Sequence, residues 1–419
     1  MGSSHVRGWL CGPRTRVGDP LLAAVNGRSL IALLRGGAER LLALQHGADG
    51  ASHLRGEFPM WIAGPVTRVD HNYLSGYALL HTTLAAQVPG LPSSVVAALE
   101  RVLDIARELP GRYQSEAGLG NWYSGRGSGL PCPVGYPWPG GRTLCLHDDY
   151  DDTAISAILT TLAPFKLSAP ITAATFSAAA YDLARDALVP NSARRMQLAE
   201  AGAGVYQSWA LVPSPAPAVG AELVWLPREN SVELTTVANV FTAVNRLGGD
   251  PEHPAQVASR HFVNALVTVA VERLLDGDAS YLDFASSYYP RFPFAPLAFV
   301  VHDHVLTDGA LLDPQVTAMI ARAVAEVDAE ASWRMQGFGT VAFWLNCCAW
   351  CLQGGLMRAG DIGPTLERVW GRLHSSGDHP LWPDFVFFHG AHIGDYSGTA
   401  YTLALMLETL ALLHGMGFA

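Results

Sequence analysis

Five segments of this chain are dense in small and apolar residues all the way round a helix: 152–163, 231–247, 294–308, 338–354 and 395–415. A helix without a polar face has to be enclosed by protein, so these five belong inside a core. Five others, 93–109, 171–188, 254–275, 313–329 and 361–375, carry Arg, Glu and Asp along one side, the pattern of a surface helix. With 20–46 and 68–88 the helical candidates number twelve, and enclosed and amphipathic kinds alternate along the chain. The expected fold class is all-α, a single (α/α)6 barrel. Its inner helices would run parallel and bring their N-terminal ends to one mouth. Residues 1–419 are expected as one catalytic domain, with 1–19 an irregular N-terminal segment. No strand ladder is expected between the helices, and the proline-interrupted stretch 205–227 is expected as an extended or hairpin excursion.

Composition narrows the function classes. Of 419 residues 49% are hydrophobic and 15% charged, against about 25% charged in average domains, so a large core can be buried. A net charge of −10, with Lys166 the only lysine, argues against a nucleic-acid partner. Cys347, Cys348 and Cys351 stand in the apolar run AFWLNCCAWCLQGG and read as reduced core thiols. No run reaches the roughly 20 apolar residues of a membrane span. The N-terminal stretch has no apolar signal-peptide core. The expectation is a cytoplasmic protein, whose aliphatic richness still permits peripheral membrane contact.

In such a barrel the residues ahead of the inner helices would form one constellation at the mouth: 121–153, 226–233, 286–294, 332–339 and 385–398. Many aromatics fall there, among them Trp122, Tyr150, Trp333, Phe338, Phe388 and Tyr396, together with His389, His392 and Asp395. Arg126, Arg142, Arg228, Arg291 and Arg334 fall there too, free to bind an anionic head group or to pair with Glu229 or Glu233.

The same mouth receives LHDDYDDTAISAI, residues 146–158, where His147, Asp148, Asp149, Asp151 and Asp152 crowd ahead of an apolar run. Four carboxylates in five positions repel one another unless water, a cation or a bound proton compensates. The stretch fits two patterns. Read from Asp148 it is DDxxD, with Asp148 and Asp152 four apart on a helix face and able to share a divalent cation. Read from Asp149 it is DxDDT followed by Ala: Asp149, Asp151, Asp152, Thr153, Ala154. That second pattern resembles the protonation motif of class II terpene cyclases, the family of squalene–hopene and copalyl diphosphate cyclases. The end GDYSGTAYTLALMLETLALL (394–413) is similar to the terminal inner helix of cyclase barrels, and SVELTTVANVFTAVNRLGG (231–249) to another inner helix, with Glu233 where an Asp often stands.

The resemblance covers about 120–415. It implies that Asp151 is the general acid, tuned by Asp149 and Asp152, and that the substrate is an isoprenoid folded against Trp122, Tyr150, Trp333, Phe338, Phe388, His389 and Tyr396. Close carboxylates in an apolar site cannot all ionise, so one retains a proton at neutral pH. The implied activity protonates an alkene or epoxide and cyclises the polyene through carbocations. It requires no cofactor and no metal site, a magnesium ion entering only where the substrate carries a diphosphate. The Gln-Trp repeats of triterpene cyclases are missing, and the length suits one barrel rather than two. Two other readings stay open: a metal-dependent enzyme that ionises prenyl diphosphates through Asp148 and Asp152, and a non-catalytic isoprenoid-binding barrel. His302 and His304, two apart on one helix, do not share a face and are a poor metal pair, one expected inside and the other at solvent.

Overall fold

The computed structural model describes residues 30–45, 55–63 without 59, 67–69, 74–120 without 116, 122, 136–138, 142–183, 186–196 in part, 204–210, 223–226, 230–278, 294–327, 338–369 in part, 386–390 and 394–418. These residues are mostly helical. Six helices are buried on nearly every face: α2 (Leu74–Ala86), α5 (Tyr150–Leu162), α6 (Leu234–Arg246), α8 (Ala295–Leu306), α10 (Phe338–Gln353) and α11 (Thr399–Gly415). They pack in cyclic order, each on the next, and α11 returns to α2, closing a ring. Helices α1 (Leu30–Leu44), α3 (Ser93–Ile105), α7 (Pro254–Leu275) and α9 (Pro314–Glu326) lie outside it, α3 against α2, α7 against α6 and α9 against α10, and a single turn, α4 (Leu109–Arg112), follows α3. In chain order these outer helices stand between or before ring helices, because an amphipathic helix can bury only its apolar stripe against the ring.

The ring helices α2, α8 and α11 run in one direction. Tyr77 of α2 meets Phe299 of α8 and Tyr401 of α11 at ring separations of 5.5 and 6.5 Å. Later in the same helices His81 bonds to Glu408, and Glu408 connects through Trp350 of α10 to His302. Residue numbers therefore rise together along the ring axis. The three expected core thiols are free and wholly buried within α10, and burial pushes that of Cys348 well up.

Two expectations need correction. Short strands do occur, in the segments ahead of ring helices. A four-stranded sheet has the order β2 (Thr67–Val69), β1 (Met60–Ala63), β9 (Gly394–Ser397), β8 (Val386–Gly390). A second joins β3 (Tyr136–Trp138), β4 (Arg142–Leu146) and β7 (Leu223–Leu226), β7 lying parallel to β4. In a third, β5 (Asp148–Asp149) pairs with β6 (Trp209–Ala210). Strands of two to five residues are too short to show a period, and β1–β9 and β4–β7 join segments remote in sequence. Within 205–227 the described strands are extended, as expected, but pair elsewhere rather than with each other. The second correction concerns 171–188. Among the described residues there, only Ala173–Ala179 is helical, as a 3₁₀ segment. The amide of Tyr181 bonds to Val205, and those of Gly204 and Gln207 bond to Tyr181 and Ala179. Pairing with 204–207 thus replaces the local helix, a tertiary override of alanine's helix propensity.

Gly120 is the tightest backbone approach near the ring mouth. A Cβ there would sit 2.7 Å from both the carbonyl carbon of Asp152 and the amide nitrogen of Thr153. Backbone cannot swing aside as a side chain does, so Gly120→Ala is expected to destabilise the protein by about 1–3 kcal/mol, read as a lower urea midpoint. An unchanged midpoint would show that 120 does not clamp the start of α5.

Candidate active site

Helix α5 begins at Tyr150 because Asp149 is extended and caps it, its carboxylate accepting the amide of Asp151 at 2.7 Å. Both flanks of this first turn are tied down. The amide of Asp149 donates to Gly120 at 3.0 Å and that of Tyr150 to Ser208 at 2.8 Å. The Thr153 hydroxyl accepts from Gly120 at 2.8 Å and donates to the carbonyl of Asp149 at 2.7 Å. Successive helical side chains diverge by about 100°, so the next three residues point three ways. Tyr150 packs against Phe176, with 6.4 Å between the rings. Asp152 accepts the amide of Trp122 at 2.7 Å. Asp151 faces the ring interior.

There the carboxyl of Asp151 is held at both oxygens. Tyr77 of α2 donates its hydroxyl to Oδ2 at 2.8 Å, and Asn239 of α6 donates its amide to Oδ1 at 2.7 Å. Asn239 also donates to the Tyr77 oxygen at 2.9 Å, closing a triangle across three ring helices. Asp151 is deeply desolvated yet not fully covered, so open space adjoins it. Burial pushes its pKa to about 6, the bonds from Asn239 and Tyr77 pull down, and Asp303 of α8 adds a further push upward. Asp152 is pushed to about 8, first by burial and then by Asp151 and Asp148, against the pull of the Trp122 amide. Asp149 is pushed well above the usual carboxylate range by burial, Asp152 and Asp151. The crowded aspartates thus meet backbone amides, Tyr77 and Asn239 as hydrogen-bond donors, and burial shifts all three toward the protonated form.

Of the sequence candidates, Asp149, Asp151 and Asp152 form one cluster. Trp122 joins it through its backbone amide, while its ring stacks on Tyr113 at 5.1 Å and its Nε1 donates to Ser156 at 3.2 Å. Asp148 does not share a helix face with Asp152: it lies in β5 opposite Ala210, upstream of the cap at Asp149. Phe388 and His389 lie in β8, opposite Tyr396 and Asp395 of β9. Their side chains, with those of Phe338 and Arg142, and all of Trp333, His392, Arg126, Arg228, Glu229, Arg291 and Arg334, lie outside the described residues. Glu233 pairs with buried Arg195 at 2.8 Å. His302 and His304 do point apart, yet His304 is buried rather than at solvent. It accepts the amide of Leu312 at 3.0 Å, and burial lowers its pKa to about 4.

Sequence reasoning missed Tyr77, Asn239 and Asp303, the three residues that act on Asp151. A signal was present. Each is polar and sits within an otherwise apolar enclosed segment, where a polar group needs a specific partner. Which partner, the pattern could not say.

All three aspartates hold their protons more tightly when folded than the unfolded chain does. Their contribution to stability is complete below the unfolded carboxylate value and is lost as pH rises through about 6 for Asp151 and about 8 for Asp152. Unfolding free energy from urea titrations should accordingly fall from about pH 4 to about pH 8. Each such carboxyl removes about 1.4 kcal/mol for every step of one in pH over which it stays protonated only in the folded chain. Asp152→Asn keeps an acceptor for the Trp122 amide but has no charge to bury. It should match the wild type at the acidic end, exceed it at the alkaline end and flatten the decline. A wild-type profile that rises with pH would contradict the protonated cluster.

No protein-family model matches this chain, and no curated protein matches its sequence. The chemistry must be read from the site itself.

Proposed function

We propose that this chain is a class II-type terpenoid cyclase built on a single (α/α)6 barrel, with Asp151 as the general acid toward an isoprenoid alkene or epoxide. The closed ring of enclosed helices with amphipathic helices outside supports the barrel. The observation that carries the function is Asp151 itself: a carboxyl at the N-terminal turn of an inner helix, facing inward, with one neutral donor on each oxygen. Alkene protonation needs a strong acid, and an acid is strengthened by whatever stabilises its conjugate base. Tyr77 and Asn239 are already oriented for the carboxylate that forms, so little reorganisation accompanies proton transfer. The positive end of the α5 dipole acts in the same sense.

In the reaction the proton of Asp151 passes to the terminal carbon, or to the epoxide oxygen. The cation left behind is attacked by the next double bond of the folded chain. Tyr77 meets Phe299 and Tyr401 edge-on at 5.5 and 6.5 Å, and Phe343 lies tilted 6.1 Å from Phe299. Such rings offer π-faces to a migrating cation and no strong nucleophile to trap it. Asp152 keeps its proton to about pH 8 and Asp149 is pushed up in the same direction, which lessens the negative charge beside Asp151. Protonation itself requires no metal, and a divalent ion would serve only a diphosphate head group.

Asp151→Asn should abolish detectable cyclisation of farnesyl and geranylgeranyl substrates, free or diphosphorylated, while far-UV circular dichroism stays native. Tyr77→Phe and Asn239→Ala, each losing one donor, should lower turnover by about 10²-fold. Wild-type turnover should fall as pH rises through about 6, where Asp151 loses its proton. Wild-type rates in an Asp151→Asn enzyme would exclude this acid.

A further inference from the structure

A cyclisation begun by a proton must end by losing one or by capturing water, and the ring interior carries a second polar assembly beyond the acid. His81 lies four residues after Tyr77, about 6 Å further along α2. Its Nδ1 bonds to Oε2 of Glu408, a wholly buried residue of α11 whose Oε1 accepts the Trp350 indole at 2.5 Å. An imidazole that gives its Nδ1 hydrogen to a carboxylate keeps a lone pair on Nε2. That nitrogen is buried and has no hydrogen-bond partner among the described residues. The imidazole stands 5.6 Å from Tyr401 and 6.4 Å from Phe299, the two rings that also border Tyr77. Acid, aromatic tier and imidazole thus follow one another along the ring axis. A buried nitrogen without a partner is costly, and a proton taken from a substrate bound within the ring would give it one.

Resting on the cyclase reading, we infer that His81 is the catalytic base that ends the reaction. The C–H bond beside the last cationic carbon breaks, its electron pair becomes the new C=C bond, and the proton passes to Nε2 of His81. Glu408 faces the imidazolium so formed. The product is a cyclic alkene isomeric with the substrate, and both His81 and Asp151 return to their starting states by exchange with solvent. Neither an oxidant nor a second substrate is needed. His302 is the competing candidate, since its Nε2 also lacks a partner among the described residues. Its Nδ1, however, bonds to the adjoining Asp303 at 3.0 Å, and its ring meets Trp350 at 5.0 Å rather than the Phe299–Tyr401 tier.

The test is product analysis by gas chromatography and mass spectrometry after incubation with farnesyl and geranylgeranyl diphosphates and their alcohols in deuterium oxide. The wild type should release a cyclic alkene carrying one deuterium from the acid. His81→Gln retains an amide N–H for Glu408 but has no basic lone pair, and His81→Asn does the same with a shorter arm. In either variant the share of that alkene among products should fall by about tenfold or more, replaced by cyclic alcohols or isomeric alkenes that still carry the deuterium. A wild-type product that is an alcohol would overturn the inference while leaving the cyclase reading intact. So would an unchanged alkene share in both His81 variants, or a loss seen in His302→Gln instead. Absence of any cyclised, deuterated product from the wild type would overturn the cyclase reading and the inference together.

Discussion

A carboxyl group inside a ring of apolar helices is largely stripped of the water that would hold its charge, and the rest of this structure is arranged around that constraint. Asp151 reaches the interior because α5 starts one residue before it, and α5 starts there because Asp149 caps the helix. Its two oxygens are met by Tyr77 and Asn239, which stand on helices α2 and α6 on either side of α5. Shifting any of these helices by one residue would turn its contribution by about 100° and empty the triangle. The ring therefore serves the acid as much as the core.

Three acidic residues at the start of α5 do different work because of where a helix sends successive side chains. Asp149 satisfies a backbone amide that the first turn leaves open. Asp152 ties the turn to the segment around Trp122, and Thr153 and Gly120 draw the same two segments together. Only Asp151 is left facing open space. Proton affinity follows the same division: burial pushes Asp152 to about 8 and Asp149 well above the usual carboxylate range, while the inward Asp151, assisted by neutral donors, stays at about 6. A strong acid beside two weak ones is an arrangement in which a single group delivers the proton.

Polar groups recur down the interior in hydrogen-bonded sets rather than singly, with Nε2 of His81 and of His302 left without a partner among the described residues. Glu408 receives His81 and Trp350, Asp303 receives His302, and Asn346 donates to Thr409 at 3.0 Å. Arg195 and Glu233 form a buried ion pair at the entrance to α6, where Arg195 also holds the carbonyl of Val232 at 3.2 Å. Such pairs add little net stability over a well-packed apolar core, but each has one geometry, so they set the rotation of the ring helices about their own axes.

The amino-acid pattern alone determined which helices are enclosed. Burial of every face follows from composition at helical spacing, and the five segments so identified are ring helices, joined by 68–88, which the pattern left unassigned. It also located the acid cluster, because four aspartates in five positions need compensation wherever they fold. Tertiary structure decided what compensates. Tyr77 and Asn239 lie 74 and 88 residues from Asp151, and nothing local distinguishes them from other polar residues on apolar helices. The cap at Asp149, which separates Asp148 from Asp152, depends on pairing with 209–210 and on the bond to Gly120. The strands ahead of the ring helices likewise exist through partners remote in sequence. Periodicity records which face is covered. Only the packed chain decides by what.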